Sequence, residues 1–117
     1  MSAYGELLDR VNRIPGVRGS MVVAADDGLI VAEDLMVGVP GPAAAALVAS
    51  LFRRARRSVQ AADFGSAAYL QVEGDGGLLF AAAPPQLGDV LLVVIAEGWV
   101  NVGMVRLEAA RVVEALG

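Results

Sequence analysis

The chain has 117 residues, 56% hydrophobic and 5% aromatic, with thirteen acidic and nine basic side chains for a net charge of −4. This predicts a single domain over 1–117 with an aliphatic core, does not fit a disordered chain, and argues against nucleic acid as the default partner. Every apolar run breaks within about ten residues, short of the roughly 20 that a membrane span needs.

In residues 3–14, Tyr4, Leu7, Leu8 and Val11 recur at helical spacing, and Pro15-Gly16 closes that helix. Residues 17–25 read as a strand apolar on both faces. Asp26-Asp27-Gly28 leads to a second strand, 29–35, which turns polar at Glu33 and Asp34. The acidic pair raises the question of a metal or a catalytic carboxylate site. Two neighbouring acids offer too few oxygens for a divalent cation, and Asp-Gly is a favoured hairpin tip, so the stretch reads as a turn. A loop over 36–41 precedes the longest helix, which Pro42 opens and which runs to Ala62, where Asp63-Phe64-Gly65 ends it. Residues 66–73 form a strand. Gly74–Gly77 makes a turn, not a phosphate loop, because it leads into a strand rather than a helix N-terminus. The next strand, 78–83, stops at Pro84-Pro85. Residues 90–96, VLLVVIA, are the most apolar run. The last helix spans 102–116, capped by Asn101, with Val102, Val105, Ala109, Val112 and Leu116 on one stripe.

The order is α-β-β-α-β-β-β-α, an α/β (α+β) fold. The strands at 17–25 and 90–96, apolar on both faces, belong in the middle of a sheet covered on both sides. Hairpins join neighbours in sequence, which predicts one five-stranded antiparallel sheet of order 2-1-5-4-3. The middle helix is expected on one face and the two terminal helices on the other.

Counting roughly 100° per residue, the middle helix places Leu47, Val48, Leu51, Ala55, Val59 and Ala62 toward the sheet. Its opposite face then begins small and flat, with Ala45, Ala46, Ala49 and Ser50, and ends basic, with Arg53, Arg54, Arg56 and Arg57. A flat outward patch admits a second helix at close range, so self-association through this helix is expected, with Met36, Val37 and Val39 of the preceding loop adding to it. Expected dimer contacts are Ala45, Ala46, Ala49, Ser50, Arg53 and, on the neighbouring edge strand, Tyr69. The four arginines are expected to meet acidic groups of a partner; read alone, they are also consistent with a solvated helix face.

The chain has no Cys, His, Lys or Thr. Thiolate nucleophiles, imidazole bases, Schiff-base lysines and the Walker A lysine are thereby excluded. No catalytic residue, cofactor or metal site is expected. The N-terminal stretch MSAYGELLDRVNR is charged and lacks the apolar block of a signal peptide, so a cytoplasmic location is expected.

Two stretches carry a resemblance. LLDRVNRIPGVRGSMVVAADDGLIVAED (7–34) is similar to the opening helix, I-x-G-V-x-G turn and D-G hairpin of the roadblock domain family. VNVGMVRLEAARVVEAL (100–116) is similar to that family's closing N-x-G-x-x-R segment and helix. The family includes dynein light chains and the bacterial MglB-type regulators of Ras-like GTPases. The resemblance implies a homodimer with one continuous sheet across both protomers and the two middle helices near the two-fold axis. It also implies a small Ras-like GTPase as partner. This chain ends soon after its last helix, short of the C-terminal extension of some MglB-type members, so stimulation of hydrolysis and binding alone both stay open. Two other functions are open as well: a nucleotide-independent scaffold subunit and a small-molecule sensor.

Overall fold

A computed structural model describes residues 3–85 and 89–116. Its elements are α1 (Ala3–Asn12), β1 (Val17–Ala24), β2 (Ile30–Leu35), α2 (Gly41–Ala61), β3 (Tyr69–Gly74), β4 (Gly77–Ala82), β5 (Val90–Ala96) and α3 (Val102–Leu116). Element order agrees with the sequence reading, except that residues 66–68 precede β3 instead of opening it. The expected hairpin from β4 to β5 includes residues 86–88, which lie outside the described residues, as do Met1, Ser2 and Gly117.

The strands form one five-stranded antiparallel sheet in the order β2-β1-β5-β4-β3. β1 and β5 sit inside it because both their faces are apolar and both are covered. Alternate residues serve two cores. Val22, Phe80, Leu92 and Val94 pack with Leu8 and Val11 of α1 and with Val105, Ala109 and Val112 of α3. Met21, Val23, Ala81, Leu91 and Val93 pack on the other face with Ala45, Val48, Ala49 and Phe52 of α2. A fully buried Val, Leu or Met contributes about 1.5–3 kcal/mol, so an aliphatic chain poor in aromatics fills both layers.

Polar side chains close the ends. Asn101 caps α3, its Oδ1 accepting from the Met104 N–H at 3.1 Å. At the end of α1, Asn12 Nδ2 donates to the Asp34 carbonyl at 2.9 Å. The buried Ser20 hydroxyl donates to Asn12 Oδ1 at 2.8 Å, which ties α1 to β1 and β2 together.

The rotation of α2 differs from the expected one. Its buried residues are Gly41, Ala45, Val48, Ala49 and Phe52, one stripe at helical spacing. Ala45 and Ala49, expected on an outward patch and at a dimer contact, are both 0% exposed against the sheet. Leu47 and Leu51, expected on the sheet, are 72% and 40% exposed. The reason is close approach. A Cβ on Gly28 would lie 2.7 Å from the Ala46 Cα, and one on Gly41 would lie 2.6 Å from Leu35 Cδ1. Only small residues fit where α2 comes this near, and Phe52 fills the space further along.

Candidate functional site

With that rotation, the outer face of α2 presents Leu47, Leu51 and Arg54 as exposed residues, with Ser50 half-buried beside them and Ser58 one turn beyond Arg54. The face keeps the expected division into an apolar first half and a basic second half. Its apolar part, however, is made of leucines rather than of Ala45 and Ala49. Ala46 is exposed as expected. In the loop before α2, Met36 is 61% and Val37 100% exposed, and Val39 is half-buried. Phe64, just past the helix, is also exposed.

The four arginines separate by what each can reach. Arg53 Nη1 donates to the carbonyls of Ala25 and Asp26, both at 2.7 Å, and so holds the β1–β2 turn against α2. Arg56 lies over the Phe52 ring, 5.1 Å from its centroid, and covers the edge of the core. Arg54 and Arg57 are exposed and enter no ion pair among the described residues. The two free cations are therefore Arg54 and Arg57, while Arg53 is occupied within the protomer.

The turn itself accounts for Asp26-Asp27-Gly28. Gly28 has φ 76°, its N–H donates to the Ala24 carbonyl at 2.9 Å, and Asp27 Oδ1 accepts from the Leu29 N–H at 3.1 Å. One carboxylate of the pair is used to shape the backbone. Among the described residues, no three Asp, Glu, His or Cys side chains are grouped to hold a metal ion.

β3 pairs with β4 alone and leaves its other edge open. Leu70 packs toward α2 and Tyr69 toward the α1/α3 layer. Tyr69 is thus on the expected edge strand, but its ring faces away from α2. Arg106 of α3 sits over that ring at 4.6 Å. The Tyr69 hydroxyl is buried and has no hydrogen-bond partner among the described residues. Burial raises its pKa above the usual 10.0, and the Arg106 charge partly offsets this.

Reading the sequence missed the outward leucines, the Arg53 clamp and the meeting of Arg106 with Tyr69. Phe52 was the available signal for the leucines. A helix that buries this Phe must also bury Ala45, Val48 and Ala49, and so turn Leu47 and Leu51 outward. Nothing local to Arg53 or Arg106 marked either contact.

The architecture is thus an aliphatic five-stranded antiparallel sheet between one helix and a helix pair. The chain belongs to the Roadblock/LC7 domain family, whose model matches residues 3–96. An uncharacterized protein of Methanocaldococcus jannaschii is 30% identical over 114 residues, covering 94% of this chain and 96% of that one. Among solved structures, a Roadblock/LC7 domain from Streptomyces avermitilis superposes with a TM-score of 0.83 at 22% identity, over 95% of this chain and 92% of that one. The gliding protein MglB from Thermus thermophilus superposes with a TM-score of 0.82 at 21% identity, over 96% and 84% of the two chains. A relative thus occurs in an archaeon. No helix among the described residues is long and apolar enough to cross a membrane.

Proposed function

We propose that this protein is a homodimeric regulatory adaptor of the cytoplasm. It binds a small Ras-like GTPase and modulates its nucleotide state or hydrolysis without an active site of its own. The observation that carries this reading is the outer face of α2, where Leu47 and Leu51 stand in water beside free cations at Arg54 and Arg57. Apolar side chains grouped in this way mark contact surfaces. In the dimer, two α2 helices meet along Leu47, Ser50 and Leu51 about a two-fold axis. The open edges of the two β3 strands pair, so that two five-stranded sheets become one and neither β3 edge is left bare.

Membership of the family supports an adaptor role, and the resemblance to MglB-type regulators supports the choice of partner. The dimer contributes differential affinity for one switch state, and the GTPase keeps its own catalytic groups. Arg54 and Arg57 face acidic groups on the GTPase, where a guanidinium fork pairs well with carboxylates. The test is affinity capture from a lysate of the source organism, with GDP or a non-hydrolysable GTP analogue added. Recovery of a Ras-like GTPase mainly with the analogue is expected, with recovery lost on changing Arg54 and Arg57 together to Glu. Equal recovery in both nucleotide states moves the reading to a nucleotide-independent scaffold. Absence of any GTPase from both lanes overturns it.

A further inference from the structure

The face opposite α2 carries a cavity that the adaptor reading does not use. It lies between β3, the end of β4 and α3, is open to solvent on one side, and has a volume of about 350 Å³. That is within the range of roughly 300–1,000 Å³ found for small-molecule sites. Its walls are apolar, from Ala82, Ala83, Ala110 and Val113, and its polar side chains are Tyr69, Arg106 and Glu114.

The charges are arranged along the helix. Arg106 and Glu114 lie eight positions apart on α3, or about 12 Å of helix rise, so the cation and the anion mark opposite ends. Neither enters an ion pair among the described residues, where the pairs are Arg13–Asp9, Arg18–Glu97 and Arg111–Glu108. The Arg106 guanidinium is held over the Tyr69 ring at 4.6 Å. The Tyr69 hydroxyl is buried and has no hydrogen-bond partner among the described residues. A buried hydroxyl without a partner is uncommon, because its desolvation is uncompensated.

We propose that this cavity binds a small monocarboxylate with a compact apolar tail. The carboxylate meets Arg106 and draws its side chain outward. This uncovers the Tyr69 hydroxyl, which donates to the second carboxylate oxygen. The tail lies along Ala110 and Val113. Glu114 at the far end disfavours a second acid, so a dicarboxylate of the same length is rejected.

The experiment is a ¹H–¹⁵N NMR titration of the full chain with hexanoate, adipate and hexanol, which share a six-carbon skeleton. Hexanoate is expected to shift the amides of Ala68, Ala82, Ala110 and Val113, with adipate and hexanol each binding about tenfold more weakly or worse. Arg106→Gln is expected to weaken hexanoate about tenfold, since the group lost is the charged partner. Tyr69→Phe is expected to weaken hexanoate severalfold while leaving the thermal midpoint no lower, because the hydroxyl it removes has no hydrogen-bond partner among the described residues. Ala110→Leu, at an exposed position on the rim, is expected to block the site. Hexanol binding as tightly as hexanoate overturns the proposal, as does unchanged affinity in Arg106→Gln. Absence of any shift at millimolar hexanoate overturns it too. Shifts of these amides with protein concentration alone would place a second copy in the cavity and likewise overturn it.

Discussion

Arg53, Arg54, Arg56 and Arg57 look interchangeable in the sequence, and the fold gives them different work. Arg53 makes two short charge-assisted bonds to the carbonyls of Ala25 and Asp26, which no other side chain among the described residues meets. Gln at this position keeps a donor but lacks the reach and the charge. Arg53→Gln should therefore lower the unfolding free energy by about 1.5–3 kcal/mol, seen as a lower urea midpoint at unchanged slope. Arg54→Gln, at an exposed position without a partner, should change it by no more than about 0.5 kcal/mol. Equal losses from the two variants would show that the Arg53 bonds carry no net stability. Charge reversal at Arg53 is for the same reason a poor probe of partner binding, since it disturbs the turn. Arg54 and Arg57, exposed and unpaired among the described residues, are the positions where such a change tests the proposed interface without disturbing the turn.

At the scale of elements, the seat of α2 depends on one turn. Gly28 has φ 76°, and a Cβ there would come within 2.7 Å of the Ala46 Cα. Gly28→Ala combines a left-handed backbone strain with a contact against helix backbone, which cannot swing aside as a side chain can. It should cost more than about 1 kcal/mol in the same denaturation experiment. It should also broaden or move the amide signals of α2 near Ala46; a variant as stable as the parent would mean that the helix is free to shift outward.

This contact also explains what reading the sequence achieved. Strand order was legible because β1 and β5 are apolar on both faces and because consecutive strands are joined by short turns. The caps at Asn101 and the ends at Pro15 and Asp63 were legible because they are local. The rotation of α2 was not, because a hydrophobic pattern gives Leu more weight than Ala. Here two alanines and Gly41 are inside for their smallness, and two leucines are outside. That choice is made by the distance between helix and sheet, a property of residues far apart in the chain. The candidate site inherited the error. Ala45 and Ala49, expected as outward contacts, are buried, and Leu47 and Leu51 take the outward positions.

At the scale of the whole molecule, the two sides of the sheet differ. One is covered by two helices and the other by α2 alone, which lies mainly over β2, β1 and β5, and the β3 edge is unpaired. Self-association through that side would cover Leu47 and Leu51 of both protomers, four leucines in all. Full burial of a Leu is worth about 1.5–3 kcal/mol, and even half of that for each of four amounts to several kcal/mol. Replacing Leu47 and Leu51 together by Glu removes this and sets four like charges face to face about the two-fold axis. The dissociation constant should rise at least a hundredfold, or about 2.8 kcal/mol. Sedimentation equilibrium at micromolar concentration should then give a dimer for the parent chain and a monomer for the double variant. The far-UV circular dichroism of the two should match, because neither leucine is part of the core. An Ala46→Glu variant should weaken the dimer less, since Ala46 lies on the side of the helix next to Gly28, away from Leu51, and offers less apolar surface than a leucine. A monomeric parent, or a double variant that stays dimeric, would remove α2 from the association surface and leave the edge of β3 or the α1/α3 side as its site.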